Sequence, residues 1–399
     1  MDERKRPLEG FRVLDLATMV AAPYCASILG EFGAEVIKVE MPGRGDPLRA
    51  FGLRSGTGSS FNWLSEARNK RSITLDLRTP KGADIARKLV AQSDIVTENF
   101  RPGTLDRWGL GFEALRALKP DLVLVSVSAY GQEGPYQDRT GYARIAHGFG
   151  GLSWLTGDAD RKPAVPGASA LADYISGVYA ALGALLAIIG RDRTGAGQQV
   201  DVALYEGIFR MIDDLAPVYA KTGYVRPRLG PDSDSAVPHS NYETGDGKWV
   251  ALACSNDKMF ARLCAVMHRL DLLERFALVS ERLKHRQEVN GIVGDWAAQH
   301  TRDELMRRCD AGDVPLGPIN SIADIFEDEH IRARKTLETL NVPGEGPVTV
   351  PGVVPHLRST PGRIDTLGPT LGQHNEEVYR DLLGMSATEL QDLRVAGII

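Results

Sequence analysis

Asp173 is the carboxylate whose setting is most suggestive of covalent chemistry. It stands at the expected start of a strongly apolar helix, in Leu171-Ala172-Asp173-Tyr174-Ile175-Ser176-Gly177, just after the turn-forming pair Pro166-Gly167. Two readings are open from the residues alone. As a first-turn acid it would stabilise the helix dipole by about 0.3–1 kcal/mol. As a nucleophile it would be held ionised by nearby backbone N–H groups and presented to a substrate. Gly177 one turn on, and Ala180 beyond it, would leave room for a ligand or for close backbone packing. Arginines form a second constellation. Arg78 follows Leu75-Asp76-Leu77, Arg101 lies in Asn99-Phe100-Arg101-Pro102-Gly103, and Arg107 comes two residues after Leu105. Guanidinium groups at strand ends suit a phosphorylated ligand, because they pair bidentately with phosphate oxygens. The alternative for each is a solvated surface arginine. Asp15, Lys38 and Glu40 fall within expected strands and read as structural.

The elements that must position these residues alternate in type. Strands are expected at Phe11 to Ala17, Glu35 to Glu40, Ser72 to Leu77, Ile95 to Glu98, and Leu122 to Ser128. Helices are expected at Ala21 to Phe32, from Thr79-Pro80, and at Thr104 to Leu118, with proline at a favourable first position in the second. Such alternation implies right-handed crossovers and a mainly parallel sheet. Ligands bind beyond the carboxyl ends of such strands. Val20-Ala21, Asn99-Phe100-Arg101 and the Tyr130-Gly131 loop should lie there. A glycine-rich stretch (Gly148, Gly150, Gly151, Gly157), a long buried helix from about Ala170, a strand at Gln199 to Ala203 and a helix from Leu204 complete a large domain over residues 1–222.

Residues 223–247 are dense in Gly, Pro, Ser and Asp and read as a linker. A smaller α/β domain is expected over 248–328, with a strand from Trp249 to Cys254, helices from Asn256, and a capping box Thr301-x-x-Glu304. Residues 329–399 read as a second linker and a C-terminal return to the large domain, ending in a helical pair whose last member is capped by Ser386-x-x-Glu389. The expected fold class is therefore α/β, a Rossmann-like large domain with a parallel sheet plus a smaller α/β domain.

Composition narrows the function class. The 399 residues are 43% hydrophobic and 25% charged, with a formal net charge of −5. That profile belongs to a globular protein without an overall electrostatic footprint for nucleic acid or anionic membrane. Cys25, Cys254, Cys264 and Cys309 are far apart, and the eight histidines never fall at His-x-x-x-His spacing. No metal site is signalled, and a reducing cytoplasmic compartment is expected. The charged start, Met1 to Gly10, lacks the apolar segment of a signal peptide. The apolar run Ile175 to Gly190, 16 residues, is short for a membrane span. Glycine, at 42 residues, is in excess of the usual share of about 7%. An ordered glycine fingerprint for a dinucleotide is absent, which disfavours a nucleotide-binding dehydrogenase.

The order of motifs resembles that of family III CoA-transferases, the formyl-CoA and carnitine CoA-transferase group. The likeness is carried by Pro7-Leu8-Glu9-Gly10-Phe11-Arg12-Val13-Leu14-Asp15-Leu16 with Ala22-Pro23, and by Gly33-Ala34-Glu35-Val36-Ile37-Lys38-Val39-Glu40. Asn69-Lys70-Arg71-Ser72, Asn99-Phe100-Arg101-Pro102-Gly103, Asp173-x-x-x-Gly177, Thr194-Gly195-x-Gly197-Gln198, Gly317-Pro318 and Leu371-Gly372-x-His374 continue it across nearly the whole chain.

The resemblance implies an interlocked homodimer, with Asp173 at the position of the family's nucleophilic aspartate. It implies CoA transfer from an acyl-CoA to a free carboxylic acid through aspartyl anhydride and aspartyl-CoA thioester intermediates, with CoA as substrate and no tightly bound cofactor. Glycine-rich turns such as Gly148 to Gly151 would supply oxyanion donors. By position, CoA contacts carry over to Val20, Ala21, Leu75, Arg78, Asn99, Phe100, Arg101, Arg107, Arg139 and Tyr142. Val20 and Met41 stand where formyl-CoA transferase has a glutamine and an arginine, and His239-Ser240-Asn241-Tyr242 replaces its glycine-rich substrate loop. These departures speak for a larger acid, a dicarboxylate such as succinate. The related 2-methylacyl-CoA racemases need a Gly-His-Asp histidine as a second base, where this chain has Gly141-Tyr142-Ala143. A non-catalytic CoA-binding protein would make Asp173 dispensable.

Overall fold

Six short strands build one parallel sheet. The computed structural model describes residues 5–167 and 170–399. In chain order the first elements are β1 (Arg12–Asp15), α1 (Ala21–Glu31), β2 (Glu35–Glu40), α2 (Phe61–Glu66), β3 (Lys70–Thr74), α3 (Pro80–Ala91), β4 (Ile95–Glu98), α4 (Thr104–Arg107), α5 (Phe112–Leu118) and β5 (Val123–Ser128). There follow α6 (Ala143–Phe149), the single turn α7 (Leu152–Leu155), α8 (Leu171–Thr194), β6 (Gln199–Ala203) and α9 (Leu204–Arg210). The strand order is β3-β2-β1-β4-β5-β6, every pair parallel. The order reverses between β1 and β4, and that switch point is where such sheets open a crevice. β4 and β5 are buried along their whole length, as expected of strands with helices on both faces.

Three local departures from the sequence reading have physical causes. The third strand begins at Lys70, two residues earlier than expected, because Lys70 is a buried partner and not a surface charge. Its Nζ donates to Asp15 Oδ2 at 2.8 Å and to the Pro23 carbonyl at 2.7 Å. The expected helix Thr104 to Leu118 is two helices. Gly109 adopts a left-handed φ of +68°, and Gly111 is extended, with the Asp106 carboxylate lying where a Cβ would be. The helix expected to be buried from Ala170 is buried on one side only. Ala172, Ser176, Gly177, Ala180, Ala184 and Ala187 face inward, while Val178, Leu182, Leu186 and Ile189 are about half exposed. By length and composition α8 would suit a membrane span; its inner face packs along α1.

Asp15, Lys38 and Glu40 are buried and paired. Lys38 Nζ lies 3.1 Å from Asp46 and 3.9 Å from Asp15, and Arg49 makes a two-pronged contact with Glu40. Burial pushes the Asp15 carboxyl up, but Lys38 and Lys70 outweigh it and hold it below the ordinary carboxylate value.

The chain divides into two compact units. The first comprises Met1–Ser153, Val165–Leu215 and Lys335–Ile399; the second comprises Trp154–Ala164 and Ala216–Arg334. The second unit contains the antiparallel strands β7 (His239–Glu243), β8 (Trp249–Ala253) and β9 (Leu316–Pro318), with helices packed on their own core. The passage 223–247, expected as a linker, is thus part of a folded unit. Ser240 and Tyr242 alternate inward from β7, and the fully buried Arg282 donates to the Val237 carbonyl. Residues 335–399 lie in the first unit and include a hairpin, β10 (Leu337–Val342) and β11 (Gly346–Pro351), within the passage expected as the second linker. The C-terminal segment is stitched to β3 by Tyr379 Oη on the Thr74 carbonyl at 2.6 Å, and by Asn375 on Thr74.

Candidate active site

The loops beyond the carboxyl ends of β1 to β4 enclose a pocket of about 320 Å³, within the range of small-molecule sites. Its apolar wall includes Leu16, Val39, Leu75, Leu77, Phe100 and Trp108, and its cations are Arg44 and Arg78. Phe100 meets Trp108 edge-on, with ring centroids 5.1 Å apart. Asn99 fastens the switch point. Its Oδ1 accepts from the Thr18 N–H at 2.8 Å, and its Nδ2 donates to the Thr18 carbonyl at 2.7 Å. Asp46 secures the opposite rim by accepting from the N–H groups of Met19 and Leu48.

Of the residues expected to touch CoA, the pocket brings together Leu75, Arg78 and Phe100. Arg78 is half engaged already, with two bonds to the Asp76 carboxylate at 2.8 Å each. Val20 and Ala21 are buried at the start of α1, and the Val20 carbonyl accepts from the Tyr24 N–H. Arg101 reaches Thr140 on the next strand's loop at 2.8 Å, whereas Arg107 folds back onto Thr104. Arg139 lies 3.7 Å over the Tyr136 ring, and Tyr142 is largely exposed at the start of α6. Arg44 escaped the sequence reading. Its guanidinium makes no hydrogen bond or ion pair among the described residues, and the residue sits between Gly43 and Gly45, both at left-handed φ. A cation framed by two glycines in the loop that follows a strand was the available signal.

Asp173 occupies the first turn of α8, half-buried, and burial alone pushes its carboxyl up to about 6. No hydrogen bond reaches this carboxylate among the described residues, so the expectation that backbone N–H groups hold it ionised is corrected. The N-cap, Ala170, has no side-chain group to offer. At neutral pH a carboxyl of about 6 remains mostly ionised, yet is more basic than an exposed aspartate. That combination suits a nucleophile. The next residue, Tyr174, packs edge-on against Tyr24 of α1 with ring centroids 4.9 Å apart.

Within the 148–151 stretch, expected to supply oxyanion donors, Gly150 has a packing role and two N–H groups are already engaged. The Gly150 and Gly151 N–H groups are taken by the Ala146 and Gly148 carbonyls. A Cβ on Gly150 would lie 2.8 Å from the Tyr205 carbonyl oxygen, so the glycine lets α6 close onto α9. Among the described residues no group of three or more His, Cys, Asp or Glu side chains could hold a metal ion.

A family model described as CoA-transferase family III matches residues 8–375. The beta subunit of succinyl-CoA–L-malate CoA-transferase from Chloroflexus aurantiacus is 48% identical over 397 residues, covering 98% of each chain. Succinyl-CoA–D-citramalate CoA-transferase from the same organism is 41% identical, covering 99% of this chain and 98% of that protein. Among solved structures, a CaiB/BaiF family protein from Brucella suis superposes with a TM-score of 0.85 at 34% identity, over 95% of this chain and all of that one.

Proposed function

The chain belongs to CoA-transferase family III and moves CoA between an acyl-CoA and a carboxylic acid; on that premise we propose that Asp173 is its nucleophile and that succinyl-CoA and a small hydroxydicarboxylic acid are its donor and acceptor. The acid pair follows the activities in the names of the Chloroflexus relatives. The departures from formyl-CoA transferase at Val20, Met41 and His239 to Tyr242 agree with an acid larger than formate.

The observation that carries the reading is a part-buried carboxylate with neither counter-charge nor hydrogen bond among the described residues, on a helix whose Gly177 closes onto Ala21 at the start of α1, just beyond β1; burial holds it up at about 6. Its ionised oxygen attacks the donor's thioester carbonyl and expels CoA thiolate, leaving a mixed anhydride on Asp173. The thiolate then attacks the aspartyl carbonyl carbon, releasing the donor acid and forming an aspartyl-CoA thioester. The acceptor carboxylate attacks that thioester, expels the thiolate again and forms a second anhydride. Thiolate attack on the acceptor's acyl carbon completes the new thioester and frees the Asp173 carboxylate. Each step conserves an activated acyl group, so no outside energy source is needed.

The strand-end pocket is our assignment for the nucleotide end of CoA. Phe100, Trp108 and the leucines offer an apolar slot, and Arg44 and Arg78 offer charge to phosphate oxygens. A homodimer is supported by the exposed Val178, Leu182, Leu186 and Ile189 on one face of α8. The four buried free thiols agree with a cytoplasmic setting.

The test is chemical trapping. Protein incubated with succinyl-CoA and then hydroxylamine or borohydride should carry a modification at Asp173 by peptide mass spectrometry, absent from Asp173→Ala. CoA exchange that survives in Asp173→Ala overturns the mechanism.

A further inference from the structure

We propose that His147 is a positioning residue for CoA transfer, fixing the first turn of α8 and so the place of the Asp173 carboxylate. The proposal rests on the reading of Asp173 as nucleophile. The first N–H groups of a helix have no partner within it, and alanine, which stands at the N-cap of α8 as Ala170, is among the poorest caps. The need is met from another helix. The Ala172 N–H donates to His147 Nε2 at 3.0 Å, and both residues are fully buried. Ala172 immediately precedes Asp173. Because the Asp173 carboxylate makes no hydrogen bond of its own among the described residues, its reacting oxygen takes its position from the backbone of this turn.

The chemistry of the bond constrains the ring. Nε2 accepts only in a neutral imidazole with the proton on Nδ1. Burial, reinforced by Arg144, pulls the His147 pKa below its ordinary value and favours that neutral form. Nδ1 is buried and has no hydrogen-bond partner among the described residues. The bond to Ala172 is thus the polar contact that defines the ring. Its own helix is anchored in turn, since Gly150 lets α6 sit directly on α9. A rigid chain of contacts therefore runs from α9 through α6 and His147 to the turn that carries the nucleophile.

The test compares three variants in the full-length enzyme with succinyl-CoA and malate as probes. His147→Leu removes the acceptor, His147→Gln restores one on a side chain of similar reach, and His147→Asn retains a polar group too short to reach. A misplacement of about 1 Å costs on the order of 10²-fold in rate. We expect His147→Leu and His147→Asn to lose about that much in kcat, with KM for succinyl-CoA changed less than about threefold, and to slow the appearance of the Asp173 adduct equally. His147→Gln should recover kcat to within a few-fold of wild type. A His147→Asn enzyme with wild-type kcat overturns the proposal, as does a folded His147→Gln enzyme as impaired as His147→Asn. If Asp173→Ala retains exchange, the reading of the nucleophile falls first. If Asp173→Ala is inactive while His147→Asn is unaffected, only the positioning role falls.

Discussion

A methyl group on Gly177 would lie 2.7 Å from the carbonyl oxygen of Ala21 and 2.9 Å from the Tyr24 ring. The helix that carries Asp173 and the helix that begins at the first strand's loop touch backbone to backbone at this point. Gly177 is also one turn from Asp173, so the close approach brings the carboxylate to the carboxyl edge of the sheet.

Gly177→Ala separates two effects of opposite sign. Helix propensity alone predicts a gain of about 1 kcal/mol from replacing an interior glycine. The clash with Ala21 and Tyr24 predicts a loss of about 1–3 kcal/mol, because backbone cannot yield as a flexible side chain can. We expect a net lower melting temperature and a kcat reduced at least tenfold, read by calorimetry and by steady-state CoA exchange. A stabilised, fully active Gly177→Ala enzyme would contradict the close packing.

Asp173→Asn should be inactive and yet more stable than the wild type at neutral pH. The carboxyl moves from an ordinary 3.8 to about 6 on folding. A raised carboxyl is less willing to ionise in the folded state, so stability is lost as pH rises from about 4 through about 6. At about 1.36 kcal/mol per pKa unit the cost above pH 7 is up to about 3 kcal/mol. Asparagine removes it. Denaturant melts at pH 7.5 should favour Asp173→Asn, and the advantage should shrink toward pH 4. The same titration predicts that adduct formation falls about tenfold per pH unit below about 6.

The alternating elements of the large unit were legible because hydrophobic runs and turn residues mark them directly. Strands Glu35–Glu40, Ile95–Glu98 and Gln199–Ala203 match their expected bounds to the residue. What stayed hidden depended on partners distant in sequence. Lys70 looks like a surface charge until Asp15 is seen beside it. The strand His239–Glu243 lies among glycines and prolines, and only Arg282 and Tyr242 reveal that the passage is folded. Motif order pointed to Asp173, but that no hydrogen bond reaches its carboxylate among the described residues, and that His147 holds the neighbouring Ala172 N–H, are tertiary facts. Arg78 and Phe100 were expected at the pocket. Arg44 was not, because a loop arginine carries no periodic signal.

Lys38→Met tests the buried charges beneath the pocket. Lys38 is almost fully buried and lies 3.1 Å from Asp46, whose carboxylate holds the Met19 and Leu48 backbones. Methionine fills similar volume but leaves Asp46 without its cation, and Asp15 with Lys70 alone. Removing one partner of a buried pair costs about 3–5 kcal/mol. Urea unfolding should show a loss of that size, with KM for succinyl-CoA rising as the rim formed by residues 44–48 loosens. A variant with unchanged midpoint and KM would mean that the network does not support the rim.

Arg44 and Arg78 line the same pocket, but they should not contribute equally to CoA binding. Arg78 is already committed to Asp76 through two hydrogen bonds. Arg44 has no such partner among the described residues, and it stands between two glycines at left-handed φ. A phosphate therefore meets a free guanidinium at Arg44, whereas at Arg78 it must share one. We expect Arg44→Ala to raise KM for succinyl-CoA by about tenfold, equivalent to about 1.4 kcal/mol, with kcat nearly unchanged. Arg78→Ala should raise it by less. Raising ionic strength should narrow the gap between wild type and Arg44→Ala, since an exposed charge pair is screened. Equal KM values for wild type and Arg44→Ala at low salt would place the phosphates of CoA elsewhere on the sheet edge, with the Arg101 and Arg139 loops next in line for the same substitution.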